Sequence, residues 1–312
     1  MDTVAVDSIV QELEALAKER PELKEAARIY ATLLPLLRDA DLHVTPVAIT
    51  PVEAKAKLTA GKPLLQDEDL FLDDAAAAQL MVALARALEK VSPEKATWFT
   101  QSPPSPPTPK SETGPKPPRT RTRHAAARDI RLALERKRID TSDLFERAAA
   151  GDQRYVTTLA ESLHLDPALL WILAQNALKP ALRAWARQLA DLARDLDWTK
   201  DSCPICGAVA TLGELQGNEG TRHLRCGQCG ADWTSTPLKC VRCGNEDCNT
   251  LGHLYAETER EKMRVDVCEK CKGYLKVVKT SEPTPADQLA IVDLATLHLD
   301  YVARDGGYFP PR

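Results

Sequence analysis

Eight of the nine cysteines in this sequence form four Cys-x-x-Cys pairs. Two residues between the cysteines let one tight loop present two sulfurs to one ion, and four thiolates complete a tetrahedral divalent metal site. Four such loops, close together in one part of the chain, therefore predict two four-sulfur metal sites. The predicted ligands are Cys203, Cys206, Cys226, Cys229, Cys240, Cys243, Cys268 and Cys271.

The gaps between the pairs indicate which pairs share an ion. Cys206 and Cys226 are separated by 19 residues, and Cys243 and Cys268 by 24. Each gap suits a strand, a turn and a returning strand, which favours two consecutive modules with one site each. An interleaved arrangement, in which the first and third pairs share an ion, stays open.

Glycines accompany the cysteine pairs. Gly207, Gly230 and Gly244 directly follow three of them, and Gly273 comes one residue later in the fourth. A metal-binding loop points its backbone N–H groups at the sulfurs, and this turn needs a positive φ that glycine adopts at little cost. We therefore expect glycine to close each loop.

The helix and strand patterns in the rest of the sequence predict an α+β fold that positions these loops. It has a mostly helical N-terminal domain, then two small rubredoxin-like or zinc-ribbon metal modules, and then a C-terminal helix. Thr50, Pro51 and Glu53 predict a capped helix start. The predicted regions are helical 1–100, a proline-rich linker or loop at 101–122, helical 123–198, metal modules at 199–236 and 237–281, and a C-terminal helix and tail at 282–312.

Strand patterns within the two modules repeat as two copies of one small fold. The predicted strands are 208–215, 221–225 and 231–236 in the first module, and 251–258, 264–267 and 274–279 in the second.

Three further predictions concern prolines and the last helix. Pro167 and Pro180 each predict the start of a separate helix, and one final helix is expected from Leu289 to Tyr301. Eight prolines between Pro103 and Pro118 predict an extended or disordered segment.

Composition excludes several classes of protein. The net charge of −4 gives no general attraction to nucleic acid or anionic membrane, and no run of 18 apolar residues predicts a membrane span. The absence of an export signal, with paired cysteines, favours a reducing cytoplasm and metal over disulfides. No phosphate-binding loop or nucleophile motif is present, so we expect no catalytic residues and no enzyme activity.

From the last long helix onward, over roughly residues 165–305, the sequence resembles the formate dehydrogenase accessory protein family, FdhE. The segment Gly61-Lys62-Pro63-Leu64-Leu65 is compatible with the family but unspecific. The residues that carry the resemblance are Trp198, Cys203-Pro204-Ile205-Cys206-Gly207-Ala208, Gly220-Thr221-Arg222-His223-Leu224-Arg225-Cys226, Cys229 with Trp233, Lys239-Cys240-Val241-Arg242-Cys243, the Cys268/Cys271 pair, Gly273-Tyr274-Leu275-Lys276 and Asp293-Leu294-Ala295-Thr296-Leu297.

The resemblance implies a cytoplasmic protein with rubredoxin-like sites and with iron as the associated metal. It also implies binding to the catalytic subunit of a respiratory formate dehydrogenase during maturation, before the folded enzyme is exported, with a redox contribution to its activation. Four thiolates suit zinc and iron alike. The resemblance favours iron slightly over zinc, and two purely structural zinc ions stay an alternative.

A zinc-ribbon protein that binds nucleic acid is the competing interpretation. Residues 201–280 contain 11 Lys/Arg and 11 Asp/Glu, and two four-thiolate divalent sites add about −4. Because phosphate binding needs a positive surface, we expect no nucleic-acid partner. We also expect no membrane insertion, and a homodimer stays open. Cys248, His223 and His253 are interpreted as a loop thiol and two strand-face histidines rather than as ligands.

Overall fold

The computed structural model describes residues 3–91, 122–193, 198, 200–236, 238–256 and 259–310. The proline-rich segment at 101–122 falls almost entirely outside the described residues. The chain divides into two compact units. One, here the metal-site unit, comprises Met1–Tyr30, Arg38–Asp73 and Lys179–Arg312, and the other, here the helical unit, comprises Ala31–Leu37 and Asp74–Leu178. The six regions predicted from sequence stay a prediction.

The helical unit is built from amphipathic helices whose ends are capped by short polar side chains. Asp140 accepts hydrogen bonds from the N–H groups of Ser142 and Asp143, and Asp152 accepts one from Tyr155, which satisfies the free donors of a helix start. The helices are α4 (Asp74–Val91), α5 (Arg123–Glu135), α6 (Thr141–Ala149), α7 (Gln153–Ser162) and the first part of α8 (Pro167–Ala193). The fully buried side chains include Met81, Leu84, Ile130, Leu144, Phe145, Leu170 and Leu173.

The metal-site unit combines helices with one six-stranded sheet. Thr50 and Glu53 form the predicted capping box at the start of α3. The helices are α1 (Thr3–Glu19), most of α2 (Lys24–Asp39), α3 (Pro51–Thr59), the second part of α8, α9 (Leu289–Ala295) and α10 (Leu297–Asp305). The strands are β1 (Leu212–Gln216), β2 (Thr221–Arg225), β3 (Asp232–Thr234), β4 (Leu251–Leu254), β5 (Met263–Cys268) and β6 (Tyr274–Thr280).

The sheet joins two three-stranded meanders in the order β3-β2-β1-β6-β5-β4. Within each meander the strands are antiparallel, and β1 and β6 pair in parallel with Gly213 opposite Val277. A Cβ atom on Gly213 would lie 3.0 Å from the Val277 side chain, so glycine permits this close approach. The six predicted strands and their repeated layout are confirmed, and the two copies share one sheet. Three strands are shorter than predicted, because β1 begins at Leu212 rather than at 208, β3 covers only Asp232–Thr234, and β4 ends at Leu254.

Two predicted helix boundaries are wrong. Pro180 lies inside α8 and starts no new helix. An internal proline costs about 3 kcal/mol, but Ala177 and Ala181, on either side of it, are fully buried, and this packing favours one continuous helix. The expected single C-terminal helix is divided at Thr296, whose hydroxyl donates to the carbonyls of Val292 and Asp293 and offers the backbone an alternative to helix continuation.

Helices α9 and α10 cover the sheet with a small apolar core. Leu289 of α9 packs with Leu212 and Val278, which joins β1 to β6. A second cluster lies between β5, β6 and α10 and comprises Val265, Val267, Tyr274, Leu299, Ala303 and Tyr308. The cysteine loops lie at the ends of these strands, so the packing of the sheet sets the positions of the loops.

Candidate metal centres

The first three cysteine loops share one backbone geometry. In the first, the N–H of Cys203 donates to the carbonyl of Ala208 at 2.7 Å, and the N–H of Gly207 donates back to Cys203 at 3.0 Å. Gly207, Gly230 and Gly244 have φ values of 79°, 78° and 68°. These values lie in the left-handed region that glycine enters without strain, as the sequence predicts.

The fourth loop departs from the expectation that glycine closes each turn. Lys272, at the position that the three glycines occupy, has a φ of 53°. Gly273 has a different role, because a Cβ atom there would lie 2.6 Å from the Arg242 side chain. Counting positions from the second cysteine of each pair would have identified Lys272 from the sequence.

The loops bring the eight sulfurs into two clusters. Cys203, Cys206, Cys226 and Cys229 form site 1, and Cys240, Cys243, Cys268 and Cys271 form site 2; within each site the Sγ atoms all lie within 4.8 Å of one another. The consecutive arrangement is confirmed, and the interleaved arrangement is wrong.

The spacing of the sulfurs fits a tetrahedral ion. The Sγ atoms of Cys203 and Cys229, and those of Cys206 and Cys226, are 3.5 Å apart. In site 2 the distances from Cys240 to Cys271 and from Cys243 to Cys268 are 3.7 Å. Metal–sulfur bonds of about 2.3 Å predict sulfur separations of about 3.8 Å, whereas a disulfide needs about 2.0 Å.

Electrostatics also favour a cation at site 1. The thiols of Cys203, Cys206 and Cys229 lower the pKa of Cys226, so this sulfur ionises most easily. The thiols of Cys203 and Cys226 raise the pKa of Cys206, and the same two thiols, with Cys206, raise the pKa of Cys229. A second negative sulfur in a buried cluster repels the first, so four thiolates can coexist here only around a positive ion.

In site 2 the shifts are set more by the surroundings of each sulfur. Burial raises the pKa of Cys240 to about 12. Burial alone would also raise the pKa of Cys268, but the N–H groups of Cys271 and Lys270, together with the thiols of Cys243 and Cys240, outweigh it and lower the pKa to about 7. Asn245, which is buried, additionally points its amide nitrogen at the Cys268 sulfur at 3.7 Å.

The two sites differ in exposure. In site 1, Cys203 and Cys226 are 0% exposed, Cys229 is 2% exposed and Cys206 is half-buried. In site 2, Cys243 and Cys271 are both exposed to solvent, whereas their partners are buried.

A segment distant in sequence covers the first loop of site 1. The N–H groups of Leu64 and Leu65 donate to the carbonyls of Pro204 and Ile205 at 2.8 and 2.9 Å. Leu64 is fully buried, and the Lys200 ammonium donates to the carbonyl of Gly61 at 2.6 Å. Sequence reasoning missed this role, because it treated Gly61–Leu65 as unspecific.

The second loop of site 1 is covered by the chain after β6 and by α8. A Cβ atom on Gly230 would lie 2.4 Å from the Cβ of Ala286. Arg183 of α8 donates to the carbonyl of Ala286 at 3.0 Å. The Gly227 N–H donates to the Thr211 hydroxyl at 2.9 Å. These contacts leave the loop little room to move.

Buried ion pairs tie the loops to the sheet. Arg225 donates to Glu214 at 2.7 Å and to the carbonyl of Thr284 at 2.6 Å. Arg222 of β2 pairs with Asp266 of β5 at 3.0 Å and so links the two meanders. A buried ion pair needs such additional hydrogen bonds to offset its desolvation.

The residues left out of the predicted ligand sets lie outside both clusters. Cys248 is exposed. His223 contacts Asp232 at 2.5 Å, and His253 contacts Asp266 at 2.8 Å, so both histidines lie on strand faces as predicted. In the part of the chain that the structure describes, none of the helices combines the length and apolarity needed to cross a bilayer.

The fold and the site define a class: a helical protein that carries two closed four-cysteine centres on one shared sheet. Comparisons identify similar proteins. Residues 238–310 match the family model "FdhE, C-terminal domain". FdhE homologs from Aquifex aeolicus and Stutzerimonas stutzeri are each 33% identical, over 117 and 174 residues. These alignments cover 36% and 53% of this chain, and it spans only 40% and 55% of those relatives.

A solved structure extends the similarity to the whole fold. The crystal structure of the FdhE protein from Pseudomonas aeruginosa aligns with 97% of this chain and 91% of its own, at a TM-score of 0.58 and 22% identity. The predicted resemblance to FdhE and the predicted α+β fold class are therefore confirmed.

Proposed function

We propose that this chain is an accessory factor that binds the catalytic subunit of a respiratory formate dehydrogenase in the cytoplasm and supports its maturation or activation. The observation that carries the proposal is the pair of closed four-cysteine clusters in a fold similar to that of an FdhE protein. The resemblance to FdhE is the basis for naming formate dehydrogenase as the client. Metal binding would explain why the C-terminal half gathers eight cysteines into two clusters.

Each cluster would hold one divalent ion through its four cysteines. Iron is slightly favoured over zinc, because the resemblance to FdhE implies iron while the sulfur geometry suits both. Iron bound in such a site supplies one-electron chemistry, whereas zinc supplies structure alone. The chain's own contribution is to hold four sulfurs at tetrahedral spacing and to direct backbone N–H groups towards them, such as that of Ile205 towards Cys203 at 3.4 Å.

The proposed role is binding rather than catalysis. Four cysteines fill the coordination shell of a tetrahedral ion, whereas a catalytic metal keeps an open position for water or substrate. The modules also carry no net positive side-chain charge over residues 201–280. A loaded pair of sites would make this region negative, which opposes binding to nucleic acid phosphates.

Co-purification from cells tests the proposal. The tagged full-length chain is expected to retain the catalytic subunit of formate dehydrogenase and to contain about two metal ions per chain. A variant with Cys203→Ser and Cys206→Ser should lose metal and client activity. Cys248→Ser is the matched control, because it removes an exposed thiol outside both clusters.

Two results would contradict the proposal. One is native protein whose eight thiols are empty or bridged to one another. The other is an absent client together with strong, salt-sensitive retention of nucleic acid, which would favour the zinc-ribbon alternative. Elemental analysis and the visible spectrum of the purified protein distinguish iron from zinc.

A further inference from the structure

Two cationic side chains of α8 lie beside site 1. Lys179 and Arg183 are four residues apart, which places them on the same face of the helix. Burial has the largest effect on Lys179 and lowers its pKa to about 8, while Cys226 favours its charged form; for Arg183, burial likewise lowers the pKa, while Cys229 and Cys226 favour the charged form. One turn of helix therefore presents two positive charges to one cluster of sulfurs.

The position of Arg183 follows from its contacts. Its Nη2 donates to the carbonyl of Ala286 at 3.0 Å, and Ala286 touches the loop at Gly230, next to Cys229. The Nε atom of Arg183 is buried and has no hydrogen-bond partner among the described residues. A buried cationic group with an unsatisfied donor is costly unless opposite charge lies nearby.

Acidic groups near the two cations offset them only in part. Asp287 favours the charged form of Arg183, and Asp293 favours that of Lys179. Asp293 already pairs with Lys276 at 2.6 Å, so its charge is shared. A divalent ion with four thiolates carries a net charge of about −2, and this is the charge that two nearby cations would balance.

Site 2 has a different surrounding. Arg222 interacts with Cys240, but it pairs with Asp266 at 3.0 Å. Arg242, within the loop of site 2, donates to the carbonyls of Phe309 and Pro310 at 3.1 Å. These two arginines beside site 2 are therefore directed at other partners.

We propose that Lys179 and Arg183 are positioning residues that balance the charge of a metal ion bound by the four cysteines of site 1. The inference rests on the metal binding proposed above. Positive charge near a negative metal–thiolate cluster favours the loaded state over the empty one. If the ion is iron, the same charge favours the more negative reduced form and raises the reduction potential of site 1.

Chelator titration with site-resolved alkylation tests the proposal. Full-length protein loaded with zinc is treated with increasing chelator and then with an alkylating reagent, and mass spectrometry reports the freed cysteines. Arg183→Met and Lys179→Met should expose Cys226 and Cys229 at about tenfold lower chelator concentration, as is typical when groups that support a metal site are removed. The four cysteines of site 2 should respond as in the parent protein.

Two variants serve as matched controls. Arg187→Met removes the same charge one turn further along α8, from an exposed position, and should leave the titration unchanged. Lys179→Arg keeps the charge and should keep the affinity of site 1. Equal effects of Arg187→Met and Arg183→Met, equal shifts at both sites, or no shift at all would overturn the proposal.

Failure of the proposed metal binding gives a different result, because the parent protein would then hold no zinc at either site. If Arg183→Met lowers the helical circular dichroism signal, Lys179→Gln provides the test with a polar but uncharged side chain. An independent readout is the reduction potential of the iron-loaded protein. It should fall in Lys179→Gln and stay unchanged in Arg187→Met.

Discussion

Sites 1 and 2 use the same loop and the same sulfur spacing, but the rest of the chain covers them differently. Site 1 lies under the Gly61–Leu65 segment, α8 and Ala286, and Cys203, Cys226 and Cys229 are buried. Site 2 lies at the surface with Cys243 and Cys271 exposed. The local spacing of the cysteines thus brings four sulfurs together, while long-range packing decides whether the cluster is buried or exposed.

We expect site 1 to contribute more to folding than site 2. Metal at site 1 would hold together segments that are distant in sequence, because its loops contact residues near positions 64 and 286. Site 2 joins loops of a single meander and the C-terminal residues at Phe309.

The largest effect is expected when one ligand is removed from each site in turn. Cys226→Ser should reduce the free energy of unfolding by roughly 5 kcal/mol or more, because a structural zinc site contributes on the order of 10 kcal/mol. Cys271→Ser should cost clearly less, because Cys271 is exposed whereas Cys226 is buried. Urea unfolding followed by circular dichroism measures both, and equal losses would contradict the proposed division of roles.

The next effect concerns the buried ion pair beneath site 1. Glu214→Ala leaves Arg225 buried without its carboxylate, which should reduce the free energy of unfolding by about 3–5 kcal/mol. Both side chains are at most 4% exposed. Glu246→Ala is the control near site 2, because its pair with Lys239 is on the surface, where such pairs contribute about 1 kcal/mol or less. A small loss in Glu214→Ala would show that water reaches Arg225.

Much of the site could be predicted from the sequence because its signals are local. Cysteine spacing predicts both ligand sets, and turn glycines and alternating strands predict the two meanders. The parallel pairing of β1 with β6 joins residues more than 60 positions apart and leaves no local pattern. The same holds for Leu64 on the first cysteine loop.

The prediction at Pro180 was wrong for a different reason. A local rule, that proline starts or ends a helix, was overridden by burial on both sides of the residue. Tertiary packing of this kind cannot be read from a short window of sequence.

A matched pair of glycine substitutions tests how firmly each loop is covered. Gly230 and Gly244 occupy equivalent positions with φ of 78° and 68°. Gly244→Ala makes only an ordinary contact with a carbon of the Lys239 side chain at 3.7 Å, so it should cost only the left-handed strain of about 1–2 kcal/mol. Gly230→Ala adds a clash with Ala286 at 2.4 Å and should cost about 1–3 kcal/mol more.

Thermal unfolding of the two metal-loaded variants provides the measurement. Equal Tm values would mean that the chain at Ala286 moves away freely, and the second loop of site 1 would then be as loosely covered as site 2. A lower Tm for Gly230→Ala alone would localise the difference between the sites to this contact.

The smallest effect is expected where a lysine replaces the usual glycine. Lys272 adopts a left-handed φ of 53°, which costs about 1–2 kcal/mol relative to glycine. Lys272→Gly removes this strain. It also increases the conformational entropy of the unfolded chain and removes the contacts of Lys272 with Glu269 and Tyr308. The two groups of effects nearly cancel, so the free energy of unfolding should change by less than about 0.5 kcal/mol.

The reverse exchange, Gly244→Lys, separates strain from contacts. Lys at position 244 gains the left-handed strain without neighbours such as Glu269 and Tyr308, so it should cost about 1 kcal/mol. If Lys272→Gly instead lowers stability by as much as Gly244→Lys, the contacts of Lys272 outweigh its strain. The fourth loop would then depend on its side-chain contacts with Glu269 and Tyr308, and exposure of Cys271 would be a poor guide to how firmly site 2 is held.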